Sequence, residues 1–320
     1  MIAFGPVPSR RLGRSLGVNN IPPKVCTYSC IYCQLGRTIR MQVVRPTFYQ
    51  PREISKAVQE KIEKAKKAGE EIGYLTFVPD GEPTLDANLG REIELLRSLG
   101  IKIAVITNSS LIWLQAVRQD LMKADWVSLK VDSVRDKVWR RLDRPYRTLQ
   151  LPSILDGILE FADAYSGELF TETMLVQGIN HGDEQLEELG DFLTQLRPAR
   201  AYLSIPTRPP AEAWVRAPGE EVILRAHQIL QEHVGQVEYL IGYEGNAFAF
   251  TGDVKEDLLS ITAVHPMRED AVSKFLAKAA SGWSVVQQLI DEGQLVRTEY
   301  DGRSFYLRRL RKATQFSKDE

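Results

Sequence analysis

Six short apolar runs, at residues 15–21, 73–78, 101–107, 126–131, 169–176 and 201–205, alternate with stretches of helical periodicity at 51–69, 92–99, 111–122, 153–164 and 184–196. No other feature narrows the fold as much. Strands separated by helices return parallel to one another, through right-handed crossovers packed on the sheet. The first helical stretch has its own punctuation: Pro51 at the start, Ile54, Val58, Ile62 and Ala65 on one face, and Gly69 at the stop. Periodicity leaves a barrel and a doubly wound sheet both open. In either, ligands gather past the C-terminal ends of the strands. The polar residues there are Thr107, Asn108 and Ser109 after the third strand, Lys130 and Asp132 at the fourth, Gln177 and Asn180 after the fifth, and Ser204 and Arg208 around the sixth. Side chains alternate along a strand, so roughly half of these should face a common cavity.

Just past the first strand stand the chain's only three cysteines, Cys26, Cys30 and Cys33. Their spacing would fit one face of a helix, but Pro22-Pro23 upstream and the β-branched and aromatic residues between them argue for an irregular loop. An odd count excludes disulfide pairing as a full account. The four histidines, His181, His227, His233 and His265, are far off in sequence, so zinc would need them brought in by folding. Soft thiolates in a tight loop suit an iron-sulfur cluster, and three of them on a four-iron cluster leave one iron open for chemistry.

The formal net charge of -1 conceals a polarised chain. Residues 1–52 hold eight basic side chains (Arg10, Arg11, Arg14, Lys24, Arg37, Arg40, Arg45, Arg52) and no acidic one; residues 148–196 hold ten acidic side chains and no basic one. A positive collar around the cysteine loop favours anionic ligands. No apolar run approaches the ~20 residues of a membrane span, and the N-terminus has no secretory pattern. Reduced thiols then place the expectation in the cytoplasm.

Cys26-Thr27-Tyr28-Ser29-Cys30-Ile31-Tyr32-Cys33, with an aromatic residue before the last cysteine, resembles the signature loop of the radical S-adenosylmethionine (SAM) enzymes. About fifty residues on, after the second strand, Pro79-Asp80-Gly81-Glu82-Pro83-Thr84-Leu85 resembles that superfamily's second signature. The resemblance selects an α/β fold, a partial (β/α)6 TIM-type barrel, over the doubly wound sheet. It implies that Cys26, Cys30 and Cys33 are metal ligands of a 4Fe-4S cluster and that SAM occupies the open iron. Tyr32 would lie against the adenine side of SAM, and Gly81, Glu82 and Pro83 would meet its amino group, mainly through backbone carbonyls. Thr107, Asn108 and Ser109 complete the expected cofactor-binding set. The implied chemistry is reductive cleavage of SAM to a 5′-deoxyadenosyl radical that abstracts hydrogen from a substrate, with a reductase or a flavodoxin- or ferredoxin-type electron donor as partner. Together with Gly5 to Arg11 and Ser204 to Pro210, the motifs look most like the wyosine-synthase-like oxidoreductases of that superfamily. Wyosine synthases carry further cysteines for a second cluster, and this chain has none, so only SAM cleavage and hydrogen abstraction carry over.

From about Asp253 the alternation stops. Three helical stretches, around Leu258–Ile261, Ala271–Leu276 and residues 283–290, precede two strand-like runs flanking Asp301-Gly302, a hairpin signal. This resembles a small C-terminal winged-helix-like domain at 251–320, after a core domain at 1–250. Its third helix offers Gln287, Gln288, Asp291 and Glu292 and no basic residue, which argues against reading DNA. Arg297, Arg303, Arg308, Arg309, Arg311 and Lys312 make the wing and tail basic. A second basic cluster runs from Arg140 to Arg147 and fits either a solvated helix end or a substrate-facing patch. Two substrate classes follow: an RNA base or nucleotide, from the basic arm and the family likeness, or a peptide or protein held by the C-terminal module. A metal-sensing winged-helix regulator is the reading from another class; it leaves the Gly-Glu-Pro segment and the barrel unused.

Overall fold

The computed structural model describes residues 1–241 and 248–309. Its main sheet has eight strands: β1 (Ala3–Ser9), β2 (Gly13–Val18), β3 (Tyr74–Phe77), β4 (Lys102–Thr107), β5 (Trp126–Lys130), β6 (Glu168–Met174), β7 (Arg200–Ser204) and β8 (Val237–Leu240). They lie side by side in chain order, β1 antiparallel to β2 and every later neighbour parallel. Helices supply the crossovers: α1 (Pro51–Lys67), α2 (Leu89–Arg97), α3 (Gln115–Leu121), α4 (Asp136–Asp143) with α5 (Leu151–Ala164), α6 (Asp183–Leu196) and α7 (Glu220–His233). The sheet curls into a half-barrel, the partial barrel that the alternation and the motifs imply.

Two strands lie beyond the six expected. β1 contains Pro6 and Pro8, which lack the N–H a central strand needs; it is tolerated because it forms the sheet's edge. At the other edge, α7 and β8 add one more helix-strand unit.

Period-two alternation divides the sheet into two faces. One face (Leu75, Phe77, Ile103, Val105, Val127, Leu129, Leu203) packs on the helices in the main core. The other fills the barrel in layers. At the bottom, Trp126, Phe170 and Tyr202 stack, with ring centroids 4.8 and 5.8 Å apart. Two residues further along the strands the filling turns polar, with Thr76, Ser128, Glu172 and Ser204. The aromatic layer plugs the barrel, and the polar layer becomes the floor of the site.

After the core come α8 (Val254–Val264), a short strand Met267–Arg268, α9 (Glu269–Lys278), α10 (Ser284–Asp291) and the strands Leu295–Tyr300 and Arg303–Arg308. The last two pair antiparallel, with Met267–Arg268 on the outer side of Arg303–Arg308. Asp301 and Gly302 both have positive φ, 50° and 67°, as a tight two-residue hairpin requires. These elements share a second apolar core around Phe248, Leu258, Phe275, Leu289 and Tyr306. They are fastened to the barrel by a buried ion pair, Lys61 Nζ to Asp257 Oδ1 at 3.0 Å, and by Glu70, which takes both Arg14 and Lys278. Leu310, Arg311 and Lys312 lie outside the described residues. No helix among those described is long and apolar enough to cross a membrane.

Candidate active site

A cavity of about 380 Å³ opens at the C-terminal ends of the parallel strands, and Cys26, Cys30 and Cys33 all line it. The loop carrying them is not helical. Cys26 belongs to a two-residue parallel ladder, Val25–Cys26 with Arg40–Met41, and the chain then folds back on itself through Cys33 N to Cys30 O (3.2 Å) and Gly36 N to Cys33 O (3.0 Å). Lys24, buried and left-handed at φ 64°, closes the loop by donating Nζ to the carbonyls of Leu35 and Gly36, both at 2.5 Å. Burial, reinforced by Glu82, pushes the Cys26 thiol up to about 12; burial and then Asp143 hold Cys30 well above the usual thiol range. Both stay protonated without a metal, and metal binding would release those protons. Among the described residues no three Cys, His, Asp or Glu side chains are drawn together as ligands of one ion. All three thiols line the wall of one cavity of about 380 Å³.

The second motif is stitched to the first. Lys24 N donates to Asp80 O at 2.7 Å and Glu82 N to Val25 O at 3.3 Å. A Cβ on Gly81 would fall 1.8 Å from the Val25 carbonyl oxygen, so only glycine permits this approach. Glu82 is buried, with both carboxylate oxygens occupied: Oε1 accepts from Thr84 N (3.0 Å), Thr84 Oγ1 (2.7 Å) and Thr107 Oγ1 (2.6 Å), Oε2 from Asn108 N (2.7 Å). Its side chain therefore ties the motif to the end of β4. Asn108 continues the chain of contacts, donating Nδ2 to Thr27 Oγ1 at 2.8 Å and to Cys26 Sγ at 3.5 Å.

Of the strand-end residues singled out in sequence, Thr107, Asn108, Lys130, Ser204 and Arg208 line the cavity, and Ser109, Asp132, Gln177 and Asn180 do not. Ser109 is buried in a left-handed turn at φ 67°. Gln177 is exposed, and Asn180 pins its own loop through Val176 N, Asp132 O and Met174 O. Gly81 and Glu82 line the cavity, whereas Pro83 is buried beside it. Tyr32 also lines it, and its hydroxyl lies within hydrogen-bond distance of both Asp132 and Asp143 (2.9 Å to Asp143) while Lys130 Nζ sits 5.0 Å over its ring.

The largest omission from the sequence reading is Glu172, at the centre of the floor. It binds Arg11 Nη1 at 2.7 Å, Lys130 Nζ at 3.2 Å and Ser204 Oγ at 2.9 Å. Burial alone would raise its pKa, but Lys130 and Arg11 outweigh burial and hold it below the usual range. Its signal in sequence was a charged residue inside an otherwise apolar and Thr-rich strand. His265, from the C-terminal elements, also reaches the cavity and contacts Arg208 Nη2 at 2.9 Å; Arg208 Nη1 in turn holds Gln34 Oε1 at 2.6 Å. Of the basic cluster, Arg140 pairs with Asp136 and Arg144 with Glu212, and none of its arginines lines the cavity.

A barrel of this topology, with a three-cysteine wall and a Gly-Glu-Pro segment bonded to it, has clear relatives. Residues 20–193 match the radical SAM superfamily, and the chain belongs to it. Within that superfamily its relatives are UPF0026 proteins. That of Methanocaldococcus jannaschii, MJ1312, is 48% identical over 312 residues, 97% of each chain. One from Helicobacter pylori is 36% identical over 65% of this chain and 67% of its own. Among solved structures, a radical SAM methyltransferase from Sphaerobacter thermophilus superposes with TM-score 0.55 at 19% identity, over 70% of this chain and 66% of the other. TYW1 with a lysine-pyruvate adduct bound gives 0.51 at 15% identity, over 69% and 74%. These two likenesses are of fold. Membership makes the protein an enzyme of SAM-cleaving chemistry and implies a 4Fe-4S cluster and SAM.

Proposed function

We propose that Cys26, Cys30 and Cys33 hold the cluster, that SAM takes its open iron, and that the substrate is an RNA base or nucleotide. The observation that carries the ligand assignment is that all the cysteines of the chain line one cavity, beside Gly81 and Glu82. Bound there and supplied with one electron by an external reductant, the cluster and SAM would provide the hydrogen-abstracting radical chemistry. The chain's own residues do the positioning. Lys24 fixes the loop by its carbonyls, Asn108 orients Cys26, and Glu82 locks the second motif against both. The Tyr32 hydroxyl, held by Asp132 and Asp143, keeps the last turn of the loop against the barrel wall. Elements 254–308 form the winged-helix-like module of this reading, and its His265 completes the cavity.

An anionic substrate is supported by the charge of the lining, which has Arg10, Arg11, Lys24, Lys130 and Arg208 against Asp80, Glu82 and Glu172. Burial raises Asp80 to about 7, so its charge is partly lost near neutrality. The test is anaerobic reconstitution with iron and sulfide, followed by dithionite and SAM. A cluster whose EPR spectrum shifts on adding SAM, with release of 5′-deoxyadenosine, is the expected result; a cluster indifferent to SAM, or zinc in its place, overturns the ligand assignment. For the substrate, retention of tRNA should weaken steeply with salt. No retention at low salt, with binding of a peptide lost on deleting residues 253–320, transfers the assignment to peptides.

A further inference from the structure

Of the eight basic side chains in residues 1–52, Lys24 alone is buried. Four of the others meet carboxylates: Arg11 on Glu172, Arg14 on Glu70, Arg37 on Glu212 and Arg45 on Asp120. The Lys24 ammonium meets none at ion-pair distance among the described residues; its bonds go to the carbonyls of Leu35 and Gly36. Taking an ammonium out of water without a paired charge is costly. The backbone adds to that cost, because at φ 64° a glycine would sit more easily than a residue with a side chain. What the strain achieves is the place of the cation. Nζ is held to the two carbonyls that follow Cys33, Gly36 N in turn bonds Cys33 O at 3.0 Å, and Lys24 lines the same cavity as Cys26, Cys30 and Cys33. Burial works against its charge, whereas Cys33, Asp80, Cys26 and Cys30 all favour it. Lys130, a second cation near Cys30, is committed to Glu172 and Asp132. On the other side of the balance stand Glu82, near Cys26 and an acceptor of four hydrogen bonds, and Asp80, whose Oδ1 has no hydrogen-bond partner among the described residues.

From this arrangement we infer that the Lys24 ammonium, opposed by the Asp80 carboxylate, is the fixed charge that sets how readily a cluster on the three cysteines accepts its electron. The inference rests on the assignment of the cluster to those cysteines. A four-iron cluster on three thiolates is anionic, and the electron it takes makes it more so; the charge and burial around such a group set its potential. A cation beside it favours the reduced form and a carboxylate the oxidised one. Inside the protein neither is screened by salt as a surface charge is. Glu82 works against reduction, and Lys24 is the buried cation that offsets it without a carboxylate of its own. In the step itself a one-electron reductant from outside the chain loses an electron, the cluster gains it, and no bond forms or breaks. Lys24 touches no reacting atom. It is a positioning residue whose charge has a readout separate from its hold on the loop.

The test is a redox titration followed by EPR, on the full chain reconstituted anaerobically with iron and sulfide and without SAM. It is run at about pH 8.5, above the value of about 7 to which burial raises Asp80. Lys24→Met and Lys24→Gln remove the charge, whereas Lys24→Arg keeps it and can reach the same two carbonyls with two N–H groups. Both neutral variants are expected to lower the midpoint potential by about 59 mV or more, at least a tenfold shift of the one-electron equilibrium toward the oxidised cluster. Lys24→Arg should stay near the parent, and the gap should persist in high salt. Asp80→Asn leaves the bonds of the Lys24 side chain in place and should move the potential upward. Neutral variants that load iron fully and titrate with the parent overturn the inference. So does an arginine variant shifted as far as they are, which puts the effect in the geometry of the loop, or a gap that closes with salt, which puts it on the surface. Where the neutral variants take up no iron, Asp80→Asn decides, and an unmoved or lowered potential overturns the inference. A parent chain that forms no cluster on these cysteines overturns the assignment and the inference with it; a loaded parent with unmoved variants overturns the inference alone.

Discussion

Replacing any one of Cys26, Cys30 or Cys33 by alanine is expected to abolish iron incorporation on anaerobic reconstitution and to reduce 5′-deoxyadenosine release to background. The chain has no fourth cysteine to substitute. Each thiol lines the cavity wall, and two of the acids beside them are committed elsewhere: Glu82 to Thr84, Thr107 and Asn108, Glu172 to Arg11, Lys130 and Ser204. The fold should survive, since the loop is held by Lys24 and by backbone bonds from Ser29 and Ile31 rather than by the thiols. A circular dichroism spectrum and unfolding midpoint close to the parent's are thus part of the expectation. Asn108→Leu provides the contrast. It removes the contact to Cys26 and Thr27 but no ligand, so it should assemble a cluster and lose about 10- to 100-fold in activity, the range of a supporting contact around a metal ligand. Activity retained in a cysteine variant with normal iron content would defeat the assignment.

How much of this was legible follows from the range of each interaction. The parallel sheet could be read because alternation is local, its closure toward a barrel only through the resemblance the motifs carry, and the cysteine loop because its residues are consecutive. Glu172 was missed because its partners, Arg11 and Lys130, are distant in sequence, and period-two alternation says which face a side chain takes without saying what comes to meet it. The basic stretch from Arg140 concealed Asp143 for a different reason. It is the last residue of α4, followed by Arg144 at φ 44°, and that reversal turns Asp143 inward to Tyr32 while the arginines stay outside. β1 was hidden by its prolines, which argue against a strand everywhere except at a sheet edge. Likewise His265 reaches the cavity only because the C-terminal elements dock on α1 and β1, which no local pattern announces.

The second large effect lies away from the cavity, at a carboxyl that the fold keeps neutral. Glu92, on α2, is fully buried, and neither of its carboxyl oxygens has a hydrogen-bond partner among the described residues. Burial, reinforced by the Asp86 and Asp120 carboxylates against a smaller opposite pull from Asn20, raises its pKa to about 9. In the unfolded chain it titrates near 4.5. Between these values the native state holds a proton that the unfolded state has given up, so stability is complete below about pH 4.5 and declines as pH rises toward 9. Each pH unit costs about 1.4 kcal/mol, so at pH 7 the penalty is on the order of 3 kcal/mol. Glu92→Gln has nearly the shape of the neutral acid and no proton to lose. It should therefore match the parent near pH 4.5 and exceed it by about 3 kcal/mol at pH 7, with the gap widening toward pH 9, in urea midpoints across that range. The pH dependence separates this account from simple repacking, which would shift the midpoint equally at every pH. Asp86, raised to about 6 by burial, adds a smaller decline of the same sign between pH 4 and 6, which the variant should retain. A flat difference between variant and parent, or a loss of stability at pH 7, would mean that Glu92 is ionised in the native protein and paired with a group that moves to meet it.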